Sequence, residues 1–493
     1  RYDQAINFWG QPTDPVTSTW GSRNKVMVAI NGFFYGPPFE PSGVPWSGQI
    51  HSGWYAKRFY DNETGSAGSG FAWKTDRSVF IGGCVSHPAG KQFIDFEIGG
   101  TQIITGVNRI RAENELILYT PQYDRDTNTE GGEDSLEVLV EMERPTFVAL
   151  ASDMSFGYVR EIRDQQGSTL IPFDHIVLSA HGKARDKLIQ SVRVGHKIGI
   201  AQKIKHGEQD NCLIPNADDW VGTYASVAGS YYFLMDGVIR NFDNYSDATS
   251  RNPRTAVAYN ENYIFFIVVD GRNPLGSLGM NIHELAVFTK ETLLATHAIA
   301  QDGGGSSTMW VNGAVKNNVF CNNGNCPFNL YLPIVNKTGE GSNNSPSIPA
   351  ATIPTNASPT ATELTPNIIN NLKNGQTLFE SDQATDLQSI TGSFERAVAN
   401  GLMMVVVEPI TKTTTFTPTD HVVTLYNSNV RLGPGTNYAV IDTVPEGTPG
   451  VVLDHMNGLN GVLAKNYNWW KVEFPDGIIG WIAESLLALD EGE

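Results

Sequence analysis

Positive charge is what this chain has least of. Its 34 lysines and arginines face 52 aspartates and glutamates, a formal charge of −18 with a pI near 5.0. Such a field repels polyanions and excludes general affinity for nucleic acid or for an anionic membrane surface. An anionic substrate would have to be held by locally placed arginines or by backbone N–H groups. Long apolar runs are also missing. The longest, Tyr263–Val269 and Leu402–Val407, fall far short of the ~20 residues that span a bilayer and read as buried strands, so no membrane span is expected. Charged residues make up only 17% of the chain, which is low for an intracellular protein and ordinary for a secreted one. Cysteine is confined to Cys84, Cys212, Cys321 and Cys326. A zinc site would want tighter ligand spacing with histidines nearby, so no metal and no cofactor is expected. The polar stretch "CNNGNC" suits a disulfide between Cys321 and Cys326. Cys84 and Cys212 form the remaining expected pair, and together they imply an oxidising compartment.

What the chain has is glycine (49), proline (26) and enough length, 493 residues, for about three domains. Apolar runs at Val26–Ile30, Leu116–Tyr119, Ile176–Leu178, Tyr231–Met235 and Tyr263–Val269 are bounded by Gly, Asn, Asp or Pro, as strands are. Helical spacing is clearest over Ile282–Leu294. Residues 1–336 therefore read as one large body of α+β or α/β class with a mixed sheet. Residues 337–365, rich in Ser, Thr, Pro and Asn, form a linker that cannot bury a core. A small segment over 366–410 has no assignment, 411–420 ("TKTTTFTPTD") is a second linker, and 421–493 is an alternating, turn-cut module. The chain opens on Arg1 rather than Met, which fits a removed export signal or a cloning boundary. The location expected is secreted, extracellular or at the cell surface.

One stretch, "AIAQDGGGSSTMWVNG" at 298–313, sets an acid against bare backbone. A nucleotide-binding loop would need Lys-Ser/Thr after the glycines, and here Ser306-Ser307 follow without a lysine. Contiguous glycines also fail the dinucleotide fingerprint. Glycine instead lets amides line a concavity for oxyanions and lets a ligand come close. The alternative is a tight turn capped by Asp302.

The segments "VAINGFF" (28–34), "LSAHGKARDKL" (178–188), "VAGSYYFLMDGVI" (227–239), "PRTAVAYN" (253–260), "IVVDGRNPLGSLGMNIHELAVF" (267–288) and "QDGGGSSTMWVNG" (301–313) occur in this order. Together they resemble the phosphodiester glycosidase family over roughly residues 25–335. "NVRLGPGTNY", "NWWKVEF" and "GIIGWIAESLL" resemble the bacterial SH3-like domain, a small all-β barrel. The first resemblance implies a hydrolase that cleaves sugar-1-phosphodiester bonds in phosphodiester-linked carbohydrate. The second implies a module gripping cell-wall peptide or glycan, with Trp470 and Trp481 expected in the barrel core.

Roles follow as expectations. A phosphate ester leaves readily, so the remaining work is stabilising an oxocarbenium-like centre and delivering water, which suits carboxylates. Asp302 and Glu284 are the candidates, although Asn281 with Glu284 three residues on also forms a capping box. Arg254 and Arg272 offer planar paired donors for phosphate. Asp270 would orient one of them or cap its own turn. Asn31 would donate to sugar hydroxyls, and Gly303, Gly304, Gly305, Ser306 and Ser307 would hold sugar or phosphate oxygens. Two rival readings are a non-catalytic extracellular glycan-binding or matrix protein and an ordinary glycosidase.

Overall fold

The fold is known from a computed structural model, which describes residues 27–34, 48–51, 53–58, 68–74, 76, 78–143, 154–202, 205–206, 220, 223–242, 246–273, 276–312, 314–319, 400–404 and 410–490. Cys212, Cys321, Cys326 and the side chain of Cys84 lie outside these residues, and so do the expected disulfides.

The α+β or α/β mixed-sheet expectation needs correction. The described residues are mostly β, arranged in five sheets, and the α-helices among them are Lys183–Ser191, Ser246–Thr249 and Ile282–Glu291. Strands pair antiparallel, save the parallel contact of Gly106–Val107 with Leu116–Tyr119. The reason is physical. Continuous apolar runs such as Leu116–Tyr119 and Ile176–Leu178 suggest strands covered on both faces, as in parallel sheets. Here one face meets the neighbouring sheet and the Lys183–Ser191 helix, and the other is covered by Ile171 and Tyr123 of the connecting segments, so the same sequence texture arises in antiparallel strands. In the eight-stranded sheet that holds these strands, Leu116, Leu118, Val138, Val140, Ile176 and Leu178 share one core with Ile50, Trp54, Tyr55 and Trp220.

A five-stranded sheet carries the glycine turn. Its order is Val238–Ile239, Tyr231–Met235, His297–Ala300, Arg254–Tyr259 and Ile264–Val269. One face packs on the Ile282–Glu291 helix, where Ile282, Leu285 and Ala286 meet Ala256, Ala258, Ala298 and Ala300. Alanines on the strands let the helix approach closely. The other face, through Val257 and Ile299, shares a core with Ile30, Phe71, Ile81, Val227 and Leu402. The helix ends at Glu291, before the Leu294 of the sequence expectation, and Leu294 itself adopts a left-handed φ of 54°.

Two parts of the chain left outside the domains by the sequence pack against them, one of them through the strand read at Leu402–Val407. Within the unassigned 366–410 segment, Gly401–Met404 pairs antiparallel with Val28–Asn31, and Leu402 is fully buried. Within the expected 411–420 linker, Thr413 N donates to Gly461 O at 2.9 Å and Phe416 meets Trp470 edge-on with centroids 5.3 Å apart. One aromatic in a threonine-rich run is enough to seat it on the barrel.

The C-terminal strands form a second antiparallel assembly with Val422, Val430, Val452, Trp470, Val472 and Ile482 in its core. Trp470 occupies the expected core position. Trp481 instead turns outward to a junction with the preceding sheet, its ring centroid 5.8 Å from that of Phe173. Phe173 also stacks on His455 at 5.9 Å and 18°, and its N–H donates to Leu432 O at 3.2 Å. Asp174 is buried beneath, accepting from His455 Nε2 and contacting His175 Nδ1, each at 2.7 Å. No helix among the described residues is long and apolar enough to cross a membrane.

Candidate functional site

Asp302 follows the buried strand His297–Ala300 and is itself 8% exposed. Its backbone is pinned from the neighbouring sheet. Asp302 N donates to Gly32 O at 3.0 Å, and Asn31 Nδ2 donates to Asp302 O at 2.7 Å. Gly32 is required there, because a Cβ would lie 2.0 Å from Asn400 Oδ1. Ser306, fully buried, donates its hydroxyl to Asp302 Oδ2 at 2.7 Å.

The glycines answer to close approach. A Cβ on Gly303 would sit 2.8 Å from Pro253 O. Gly304 has a left-handed φ of 63°, and the Arg272 guanidinium nitrogens lie 3.4 Å from where its Cβ would be. Gly303 to Ser307 then wind into a short 3-10 turn. Gly304 N donates to Pro253 O, Ser306 N to Gly303 O and Ser307 N to Gly304 O. The expected cradle of naked amides is thus smaller than the sequence suggested, since the tight winding satisfies most of its donors. Among the described residues, the amides of Gly303 and Gly305 donate to no protein partner.

Several expected ligand contacts prove to be scaffolding. Asn31 was expected to reach sugar hydroxyls, but it is fully buried with its amide committed. Its Oδ1 accepts from Thr255 Oγ1 (2.8 Å) and Thr308 N (3.1 Å), while Nδ2 holds Asp302. It positions Asp302. Arg254 likewise does not present a phosphate clamp. Its Nε donates to Met280 O at 2.9 Å, and one terminal nitrogen donates to Asp247 O and Ser250 O, each at 2.6 Å. A buried guanidinium gathers three carbonyls here and ties the end of the Ser246–Thr249 helix and the approach to the Ile282–Glu291 helix to the strand. Asp270 neither caps its own turn nor meets either arginine: its carboxylate accepts from Asn317 Nδ2 (3.1 Å) and Asn318 N (3.0 Å) and ties the turn to that distant segment.

Glu284 takes the capping alternative. Asn281 Oδ1 accepts from Glu284 N at 2.7 Å and Glu284 Oε2 accepts from Asn281 N at 3.0 Å, a reciprocal capping box. Its carboxylate also pairs with Arg251, whose Nε lies 3.0 Å from both oxygens. The Arg251 hydrogen bond, with help from the Asn281 N–H, holds the Glu284 carboxyl below its usual pKa. A carboxylate so engaged is a cap, and no hydrogen bond or ion pair joins it to Asp302.

Arg272 stands differently. It is exposed, has a left-handed φ of 56°, and its Nε donates to Asn252 Oδ1 at 3.0 Å. Its guanidinium overlies Gly304 at the rim of the Asp302 turn. The structure therefore brings Asp302, Ser306, Gly304 and Arg272 together, with Asn31 and Arg254 as supports. Three buried polar residues flanking the acid were not expected from sequence, or not in this state. They are Gln301, Thr255 and Thr308, at 3%, 1% and 0% exposure. A glutamine closing an otherwise apolar run was the signal available for Gln301.

Residues 165–332 match the family model for phosphodiester glycosidase, and residues 425–488 match that for the bacterial SH3 domain. No curated protein matches the sequence. Among solved structures, similarity extends to a hypothetical protein from Synechocystis at 16% identity, covering 62% of this chain and 51% of that one, with a TM-score of 0.39. It extends to a protein of Burkholderia pseudomallei K96243 described as exported, at 18% identity, 62% and 65% coverage and a TM-score of 0.38. A zebrafish N-acetylglucosamine-1-phosphodiester alpha-N-acetylglucosaminidase catalytic domain, auto-inhibited by its pro-peptide, follows at 14% identity, 63% and 64% coverage and a TM-score of 0.28. The chain spans between 51% and 65% of the length of these three. Superpositions this loose carry no argument of their own, and the assignment rests on the family models. Residues 165–332 thus resemble a phosphodiester glycosidase domain, and residues 425–488 a bacterial SH3 domain.

Proposed function

We propose that this protein is a secreted hydrolase of sugar-1-phosphodiester bonds, held at a cell-wall or surface polymer by its SH3 barrel. The domain limits that go with this reading are 1–336 and 421–493, with residues 401–404 joined to the former and Phe416 to the latter. The observation that carries it is the buried Asp302 carboxylate, oriented by Ser306 at 2.7 Å, with the Arg272 guanidinium over the adjoining Gly304. In the reaction, the bond between C1 and the phosphate oxygen breaks, and its electron pair leaves with the phosphate ester. Water adds at C1 and its proton passes to Asp302. Arg272 neutralises charge on the departing phosphate, which requires no protonation to leave. One carboxylate then suffices, in keeping with Glu284 serving as a cap.

The test sets a sugar-1-phosphodiester beside the matching simple glycoside. Wild type is expected to cleave the phosphodiester selectively. Asp302→Ala is expected to abolish turnover, and Arg272→Ala to raise KM for the phosphodiester about 10-fold or more, the worth of a charge-assisted hydrogen bond. Equal turnover of both substrates identifies an ordinary glycosidase. No turnover, with retained glycan binding, identifies a non-catalytic binding protein.

A further inference from the structure

The apolar run Tyr263–Val269, which the sequence marks as a buried strand, forms the outer strand of the five-stranded sheet. Ile264–Val269 pairs with Arg254–Tyr259 on one side, and among the described residues no strand takes the other. Phe265, Ile267 and Val269 pack toward the helix, and Phe266 and Val268 toward the inter-sheet core. Both faces of the strand are thus claimed, and its edge is what remains open. Tyr263 and Ile264, at its start, are 65% and 39% exposed.

An open edge presents a row of outward N–H and C=O groups that templates pairing with another strand. Native chains blunt such edges with short length, charge, proline or a bulge. This chain does so elsewhere. Every other sheet edge among the described residues is two to five residues long, and the five-residue one, Val440–Val444, carries Asp442. "IFFIVV" has six residues, with no charge, proline or glycine, and its register with Arg254–Tyr259 runs without a bulge. A segment of that composition left bare is an aggregation hazard. Among the described edges, it alone is built to be covered.

We propose that Ile264–Val269 pairs with the same strand of a second copy of this chain, antiparallel about a two-fold axis, so that one sheet runs through the dimer. A two-fold axis supplies each copy with an antiparallel image of its own strand, and the contact closes on itself without propagating. Charge at the two ends selects this arrangement. Glu261 precedes the run, Arg272 follows it, and both are exposed. With the pairing centred on Phe266 or Ile267, the partner's Glu261 falls opposite Gly271 or Asn273, beside Arg272, at both ends of the interface. Asp270, the nearest acid, is turned to Asn317 and Asn318. Parallel pairing would instead set Glu261 against the partner's Glu261. For two chains of charge −18 each, opposite-sign contacts at the rim steer the copies together and fix their register.

The inference stands apart from the hydrolase reading, because its test uses no substrate. Sedimentation of the full chain over about 1–100 μM should show the mass rising from 53.9 kDa toward twice that value. Hydrogen exchange over the same range should show amides within 264–269 gaining protection as the dimer forms. Ile264→Lys and Tyr263→Lys each place a guarding charge at the edge. Each should raise the dimer Kd about 10-fold or more and leave Tm within a few degrees, as exposed substitutions do. Glu261→Arg and Arg272→Glu should each weaken the dimer about threefold, and the double reversal should restore it. A chain that stays monomeric throughout overturns the proposal. So does a dimer whose 264–269 amides gain no protection, one that both lysine variants leave unchanged, or one that the double reversal fails to restore. Should the lysine variants fail to fold, exchange in the wild type and the charge reversals decide.

Discussion

Two buried aspartates in this chain are held in opposite ways. Asp174, at the junction with the SH3 barrel, lies between His175 and His455 at 2.7 Å each. Its neighbour Glu141 meets Arg160 at 2.7 Å and Lys471 at 3.5 Å. Glu141, Asp174 and His455 are close enough to hold a metal ion, but the surrounding Arg160, Lys471 and His175 already balance their charge. Burial pushes the Asp174 carboxyl up, and the two histidines with Lys471 more than offset that, leaving its pKa well below the ordinary range. Asp302 has a neutral hydroxyl on one oxygen and unpartnered polar atoms on neighbouring residues. The first arrangement is a closed charge network at the junction with the barrel; the second sets the acid against a neutral hydroxyl.

The contrast can be broken most severely at Asp302. Asp302→Asn keeps the Ser306 hydrogen bond and removes the charge, and kcat on a sugar-1-phosphodiester should fall about 10²–10⁴-fold. Tm should scarcely change. Asp174→Ala is the mirror experiment. Removing one partner of a buried charge network costs about 3–5 kcal/mol, which urea unfolding should register, while kcat of the folded enzyme is unaffected.

Acid titration sharpens the same distinction. The folded state binds the Asp174 proton less readily than the unfolded chain does. Its stabilisation is therefore complete above the ordinary carboxylate pKa of about 4 and declines as pH falls below that. Fluorescence of Trp481, packed on Phe173, should report loosening of the junction in that range. An Asp174→Asn variant should lack this acid-dependent phase. The smallest effect belongs to Glu284. Glu284→Gln should leave kcat and KM intact and cost a little helix stability, whereas Asn281→Ala should cost about 1 kcal/mol as a lost cap. A collapse of activity in Glu284→Gln would return that residue to the catalytic set.

Much of the site was legible in outline because its chemistry is written in contiguous residues. The run from Asp302 to Ser307 announces an acid beside backbone that something approaches. In the fold that something includes Pro253 and Arg272. Where each side chain lies was not legible. Arg254 and Arg272 are the same residue type in comparable motifs, yet one is buried under three carbonyls and the other overlies the turn. Glu284 could be cap or catalyst on sequence spacing alone, and only the position of Arg251 and the realised capping box separated them. The strands were recognisable from their apolar runs, whereas their antiparallel pairing was not, because a strand covered on both faces looks alike in either sheet type.

By itself the sequence determined the acidic, strand-rich character of the chain, the two recognisable segments and the glycine turn with its acid, since these depend on composition and on residues close together along the backbone. Tertiary structure alone decided that Gly401–Met404 returns to the first sheet, that Trp481 meets Phe173, and that Asn31 and Arg254 support the site from behind. All but the Arg254 contacts join residues hundreds of positions apart, and in every case the competition of each polar group for partners is settled only once the chain has packed.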